Sequence, residues 1–429
     1  MAGLKICVIG GGSVYTPELI SGFIKYKEEL PIRVITLMDI NEERLQIVGG
    51  LAQRMVKAAD MEVRVELTTN RQEAIADADY VITQIRVGGI VARALDEKIP
   101  LSFGIVGQET VGPGGFANAL RTIPVMLEIA EDAERFAPNS VLINFTNPSG
   151  MVTEALLRYT KVKAIGLCNV PITMKYMIAD WLKVDPGKIF LDYVGLNHLS
   201  WVRSVYVDHE DFSQKALLVA IERAEGGEFP FSSELIKISR LIPSYYLRYY
   251  YHHDEVLTEI QKTGKTRAEV VAEIDAELLR LYSDPSLTEP PSLLNRRGGA
   301  HYSTAAVTLI SAMHNNKGEV QILNVQNLRA IPELPRGAVV EVPCVVKRSS
   351  VMPLPQKPLP PEIRGLIQAV KAYEELTIKA AVEGDEKSAL QALLAHPFVT
   401  TFSQAKALWQ AIKKANQAYL TRFLFRDVT

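Results

Sequence analysis

The sequence predicts an α/β protein: a doubly wound parallel sheet over residues 1–190, then a mixed α+β domain over residues 191–429. Three observations carry this reading. Short apolar runs alternate with helical stretches through the first part, and each run stops at glycine or polar residues. Near residue 190 the rhythm changes to the strand-like alternation of "FLDYVGLNHLSWVRSVYV". Long helical segments and short strands follow, joined by proline-rich connectors such as "DPSLTEPPSLL" and "SSVMPLPQKPLPPEI". A chain of 429 residues also exceeds what one ordinary core organises, so the second part reads as a domain closing over the first.

The first forty residues are the most legible. "LKICVIGGG" is an apolar run rich in branched side chains that ends in glycines, and "YTPELISGFIKY" then reads as a helix with Pro17 in its first turn. A second strand, "IRVITLMD", stops at Asp39. A carboxylate at the end of the second strand, after a glycine turn, is placed to take the hydroxyls of an adenosine ribose, which favours NAD over NADP. Gly10 and Gly12 fit the first two positions of the dinucleotide turn, while Tyr15 stands at the third. The alternation continues through "ADYVITQIR", "SVLINFTNPSG" and "VKAIGLCNVP", with helical stretches such as "AIADA" and "TIPVMLEIAEDAERF" between them. This is a Rossmann-like arrangement. Ligands of such sheets bind beyond the carboxyl ends of the strands, where "IRVGG", "FTNPSG" and "LCNVP" fall, so Cys168 is expected to face the cofactor cleft.

Composition narrows the partners. With 47 basic and 49 acidic side chains the formal charge is −2, which offers no electrostatic footprint for nucleic acid or an anionic membrane. A small molecule is the expected partner. No apolar run is long enough to span a bilayer, and "MAGLKICVIGGG" becomes strand and turn before a signal-peptide pattern develops. Cys7, Cys168 and Cys344 are too few and too scattered for a disulfide framework. Both points lead to a cytoplasmic expectation.

Several residues admit both a chemical and a structural reading. Cys168 is a core filler, a nucleophile or a metal ligand, because free cysteine is among the most buried residue types. His198, after "GLN" on a strand, is a hydrogen-bonded core residue or a ligand. Tyr246 belongs to five tyrosines among seven residues, which ordinarily pack as an aromatic helix face. Glu109 fits a helix-start carboxylate. Arg93 could be paired by Asp96 or Glu97. On fold alone, an NAD-dependent dehydrogenase of a 2-hydroxy acid or sugar, or a non-catalytic NAD or sugar sensor, remains open.

The motifs "GGGSVYTPEL", "IRVGG", "GQETVGPGGFANALRTIP", "NFTNPSG", "GLCNVP", "GLNHLSW" and "YYLRYYY" follow one another as in glycoside hydrolase family 4. Over nearly its whole length the chain resembles these NAD- and divalent-metal-dependent glycosidases, and "CNVP" with "TNPSG" is similar to the 6-phospho-β-glucosidases among them. The resemblance implies that Cys168 and His198 hold a divalent metal, usually Mn2+, and that Tyr246 is the catalytic base with Glu109 raising its basicity. Arg93, Asn147 and Arg267 match substrate-binding positions, suited to a phosphorylated sugar by their forked and amide donors. Ser13 is expected to complete the phosphate site from the glycine turn, alongside Gly10, Gly12 and Asp39 as the NAD-binding set.

The implied reaction oxidises the sugar at C3 with NAD+, removes the acidified C2 proton, eliminates the C1 substituent, adds water and returns the hydride. This family departs from the two-carboxylate pattern of most glycosidases. The related phospho-α-glucosidases carry an aspartate where this chain has Asn169, and an amide cannot donate the proton that a leaving group needs. Asn169 is therefore expected to orient a substrate hydroxyl, and the general acid stays unassigned. Family members commonly form homodimers or homotetramers.

Overall fold

A computed structural model describes residues 3–298 and 302–423. Six strands form its parallel core: β1 (Leu4–Ile9), β2 (Ile32–Met38), β3 (Arg64–Thr68), β4 (Tyr80–Thr83), β5 (Val141–Asn144) and β6 (Lys163–Gly166), in the order β3-β2-β1-β4-β5-β6. Strands covered by helices on both faces read as continuous apolar runs, and β1, β2 and β4 are buried at almost every position. The edge strand β3 differs. Its "RVELT" alternates exposed and half-buried residues, a polar pattern that the sequence reading passed over. Gly49 of the helix Glu42–Ala58 leaves room for Leu67 of β3, since a Cβ there would lie 2.4 Å from its Cδ2.

Strand order reverses between β1 and β4, the switch point at which sheets of this kind receive a ligand. The turn after β1 leads into the helix Thr16–Lys25, which Pro17 opens. That helix packs on the helix Tyr302–His314 from the other end of the chain: a Cβ on Gly22 would come within 2.6 Å of Ser303 Cβ. Glu18 accepts hydrogen bonds from the Ser303 backbone (2.6 Å) and hydroxyl (2.7 Å).

A second sheet contains the hairpin β7 (Ile189–Leu196) and β8 (Leu199–Val207), with β9 (Glu210–Asp211) and β10 (Ile242–Pro243) paired to β8. Residue 190 falls at the start of this sheet. Yet the first sheet does not end with β6: β11 (Glu319–Gln326), β12 (Val339–Lys347) and β13 (Ser350–Pro353) extend it antiparallel to nine strands among the described residues. The C-terminal part thus supplies a second sheet and also covers the β6 edge, whose unpaired backbone groups would otherwise remain open. None of the described helices is long and apolar enough to cross a membrane.

Candidate active site

The glycine turn is built from backbone. Gly10 and Gly11 N–H groups both donate to Met38 O, at 2.9 and 2.7 Å, which ties the turn to the end of β2. Gly10 has φ +90, and a Cβ there would sit 2.9 Å from Gln84 O, so two features require glycine. Gly12 N–H donates to Asp39 Oδ2 at 2.9 Å, and a Cβ on Gly12 would meet that same oxygen. Ser13 closes the turn by donating its N–H to Gly10 O, while its hydroxyl accepts from Tyr15 N–H at 3.3 Å. Gln84, just past β4, binds the turn from across the switch point through Gly10 O (3.0 Å) and the Thr16 hydroxyl (2.8 Å).

Beside the turn lies a cavity of about 710 Å³ that gathers the remaining expected residues: Arg93, Glu109, Asn147, Cys168, Asn169, His198, Tyr246 and Arg267. Gly10, Gly12, Ser13 and Asp39 stay outside its walls. Tyr15 joins the two regions, stacked on Tyr302 at 5.4 Å between ring centroids and itself lining the cavity.

Cys168 precedes the helix Asn169–Leu182 as its cap, with its sulfur accepting from Val170 N–H at 3.4 Å. His198 arrives from the two-residue turn between β7 and β8, in the left-handed region at φ 63, where few side chains settle without a reason. The Cys168 Sγ and His198 Nε2 atoms lie 3.3 Å apart. His198 Nδ1 is held by the Thr110 hydroxyl at 2.8 Å. Its ring stacks on Tyr246, with centroids 3.6 Å apart and planes 5° from parallel. Burial lowers the His198 pKa to about 3, which keeps the imidazole neutral. Burial raises the Cys168 thiol, and the Glu341 charge adds to this, while hydrogen bonds from Val170 and Asn197 oppose both. A thiol and a neutral imidazole facing one another, the latter with its second nitrogen engaged, form a donor set suited to a borderline divalent metal. No group of three His, Cys, Asp or Glu residues is arranged for a metal among the described residues.

Tyr246 sits in a short 3-10 turn, Tyr245–Leu247, followed by the short helix Arg248–Tyr251, rather than on one long aromatic helix face. Burial raises its pKa, Tyr249 and Cys168 adding to the effect, while Arg93 works the other way. Glu109 lies three residues ahead of the helix Gly112–Phe136, and arginines engage it: Arg86 Nη1 at Oε2, and Arg93 Nη1 at Oε1, 3.1 Å away. Arg93 also gives its Nε to Glu97 at 2.8 Å. Of the two partners proposed for Arg93, Glu97 is the one used, as the i,i+4 spacing favours. Asp96 instead pairs with the buried Arg121. Glu97 Oε2 in turn accepts from Ala268 N–H at 2.7 Å, at the start of the helix Arg267–Tyr282. Arg267 Nη2 donates to the carbonyls of Arg296 and Arg297. Asn147 accepts from Ser149 N–H through its side chain, and Asn169 opens its helix; both border the cavity.

Four contributors were not singled out from sequence. Thr110 follows Glu109 directly and fixes the His198 ring; Arg86 lies inside the quoted "IRVGG". Arg297 pairs with Asp275 at 2.5 Å and lies over the Tyr15 ring at 4.9 Å. Tyr302 donates to Gln84 at 2.8 Å. Only Arg86 and Thr110 carried a signal, being inside motifs already noted.

The family 4 glycosyl hydrolase model matches residues 5–184, and the model for the C-terminal domain of that family matches residues 193–399. A probable 6-phospho-β-glucosidase of Bacillus subtilis (strain 168) is 45% identical, the match covering 98% of each chain. The 6-phospho-β-glucosidase of Thermotoga maritima, solved with NAD and glucose 6-phosphate, superposes with a TM-score of 0.92 at 39% identity, covering 97% of this chain and 99% of that one. A second form of that enzyme, with manganese, NAD+ and glucose 6-phosphate, gives 0.91 at the same identity and coverage. With both models matched across most of its length, this chain belongs to the family 4 glycosyl hydrolases.

Proposed function

We propose that this chain is an NAD+- and metal-dependent 6-phospho-β-glucosidase that releases glucose 6-phosphate and an alcohol or sugar. The observation that carries this reading is the meeting of Cys168, His198 and Tyr246 in one arginine-rich cavity beside the glycine turn. Relatives named for this activity, one of them solved with NAD+, manganese and glucose 6-phosphate, support it.

Cys168 and His198 would hold the metal, with Mn2+ the expected ion, and Asp39 with the Gly10–Ser13 turn would hold the cofactor. When bound, NAD+ supplies reversible hydride transfer at C3 and the metal supplies Lewis acidity at the sugar oxygens. Tyr246 takes the C2 proton. Its buried phenol rests protonated, so the oxygen must first lose its own proton, and Arg93 is a group that favours that loss. Glu109 reaches Tyr246 through this guanidinium, since it shares Arg93 and adjusts how much of its charge the phenol feels. Arg267, Arg93 and Asn147 receive the phosphate, and Asn169 orients a sugar hydroxyl. Residues 1–190 form the NAD-binding part and 191–429 the substrate-binding part, with the reaction at their junction. The enzyme acts as a homodimer or homotetramer in the cytoplasm, a compartment compatible with its three free cysteines.

The test is hydrolysis of a chromogenic β-glucoside 6-phosphate and its unphosphorylated counterpart, with NAD+ and Mn2+ each omitted in turn. Turnover is expected only when phosphate, NAD+ and metal are all present, because donors gathered around a missing anion are left unpaired. Equal turnover of both substrates would remove the phosphate assignment. Stoichiometric accumulation of NADH would point to a dehydrogenase instead.

A further inference from the structure

Glu341 has no place in the reaction described above, yet it is a carboxyl group with 0% exposure on β12. Its Oε1 accepts from Asn197 Nδ2 at 3.0 Å and from Asn324 Nδ2 at 2.9 Å. Its Oε2 accepts from the Tyr193 hydroxyl at 3.1 Å and the Ser200 hydroxyl at 3.4 Å. None of these partners is a cation. A carboxyl group taken out of water without a cation is costly, and it is kept here by four side-chain donors that would themselves be left unpaired without it.

The donors show what the carboxylate organises. Tyr193, Asn197 and Ser200 belong to the β7–β8 hairpin, whose turn is Asn197–His198. Asn324 lies directly across from Glu341 on β11 and is paired on its other side with Gly166, two residues before Cys168. One carboxylate therefore joins the turn that carries His198 to the strand end that carries Cys168. Asn197 makes the link closer still, because its side chain also hydrogen-bonds Cys168. The Asn197 amide presents its NH2 group, and not its carbonyl oxygen, to Glu341 Oε1. With the amide oriented in this way, a donor on Asn197 is available to the sulfur.

We propose that Glu341 is a positioning residue for the metal site: by fixing the Asn197 amide it aims an N–H at the Cys168 sulfur and locks the His198 turn against it. This rests on the reading that Cys168 and His198 hold the metal. Outer partners that orient metal ligands typically change metal affinity by about 10–100-fold when removed.

The experiment uses the full chain without turnover: Mn2+ affinity from the electron paramagnetic resonance of free Mn2+, and the sulfur-to-cobalt charge-transfer absorption of the Co2+-loaded protein, with NAD+ affinity as the control. Glu341→Leu and Asn197→Ala should each weaken Mn2+ binding by about 10–100-fold and shift the charge-transfer band, with NAD+ affinity little changed. Glu341→Gln should stay near native, since its carbonyl oxygen can still accept from both asparagines while the Tyr193 and Ser200 hydroxyls turn to accept from its NH2. The Glu341→Leu, Asn197→Ala double variant should be no worse than the weaker single variant, because both act along one link. Asn197→Ala keeps the proposal testable should Glu341→Leu fail to fold. A native protein with no charge-transfer band would overturn the metal reading and this inference with it. A native band that Asn197→Ala leaves unmoved, a Gln variant as weak as Leu, or additive losses in the double variant would each overturn the inference alone.

Discussion

The glycine turn and the cluster of Cys168, His198 and Tyr246 lie close together and are built in opposite ways. The turn is largely local: residues 10 to 39 make most of it, mainly with backbone N–H groups and one carboxylate, and Gln84 braces it from just past β4. Its demands are for the absence of side chains, at Gly10 because of φ +90 and at Gly12 because Asp39 is already there. The cluster draws its three members from a helix cap, a hairpin turn and a 3-10 turn, and Thr110 holds it from a fourth segment 88 residues before His198. Here the side chains are everything, and no backbone group replaces them. A site made of backbone should therefore fail through strain, and a site made of side chains through lost chemistry with the fold intact.

The largest effect that would break this contrast belongs to Tyr246. Tyr246→Phe keeps the ring on His198 and removes the hydroxyl proposed to take the C2 proton, so turnover should fall by about 10²–10⁴-fold while thermal unfolding barely moves. The native enzyme should show a primary isotope effect with substrate deuterated at C2. Near-native turnover of the variant would transfer the role to Tyr245, Tyr249 or Tyr250.

Next in size is the thiol. Cys168→Ser should weaken Mn2+ binding by more than the about 10–100-fold that loss of an outer partner costs, and should leave NAD+ binding nearly unchanged in calorimetry. Unaltered manganese affinity would return Cys168 to the core. The converse variant is Gly10→Ala, expected to cost about 1–3 kcal/mol through its positive φ and the approach to Gln84, and to weaken NAD+ but not Mn2+. Equal loss of both ligands would show that turn and cluster are one unit.

The smallest effect is one of pH. The cluster contains a buried imidazole and the turn contains none. His198 and His396 both have pKa values lowered to about 3 by burial. Between the ordinary value of 6.5 and 3, the unfolded chain binds protons that these folded imidazoles refuse, so their contribution falls as pH falls. Glu341 and Glu374, raised to about 7 by burial, act in the opposite sense from 7 down to 4.5 and offset the histidines over most of that range. Below 4.5 these two no longer oppose, and only Asp96, raised by burial from 3.8 to about 6, still does, so metal-free protein should lose stability in urea titrations. His396→Gln should reduce that slope by about 1.4 kcal/mol per pH unit. An unchanged slope would mean that His396 is protonated in the folded state.

Legibility followed locality. β1, the glycine turn, its helix, β2 and Asp39 could be read because apolar runs, Pro17 and the glycines all act within a few residues. β3 escaped because an edge strand with one solvated face has the composition of a loop. The addition of β11–β13 to the first sheet escaped for another reason: alternation announces a strand and leaves its neighbour unspecified. Among the site residues, Glu97 as the partner of Arg93 was within reach of helical spacing, but Arg86 on Glu109 and Thr110 on His198 are pairings across segments that spacing cannot express.

By itself the sequence determined the inventory of this protein: a parallel sheet with an NAD-type turn, a nearly balanced charge, and the motifs of a glycosidase family. It did so because hydrophobic period, glycine at positive φ and motif order are properties of neighbouring residues. Tertiary structure alone decided that Cys168 meets His198 at 3.3 Å, that Tyr246 lies flat on that imidazole, and that the buried Glu341 binds both sides of the meeting point. Those relations depend on where a hairpin turn and a strand end come to rest, which is set by packing across the whole chain, because side chains distant in sequence meet only after the sheets between them have formed.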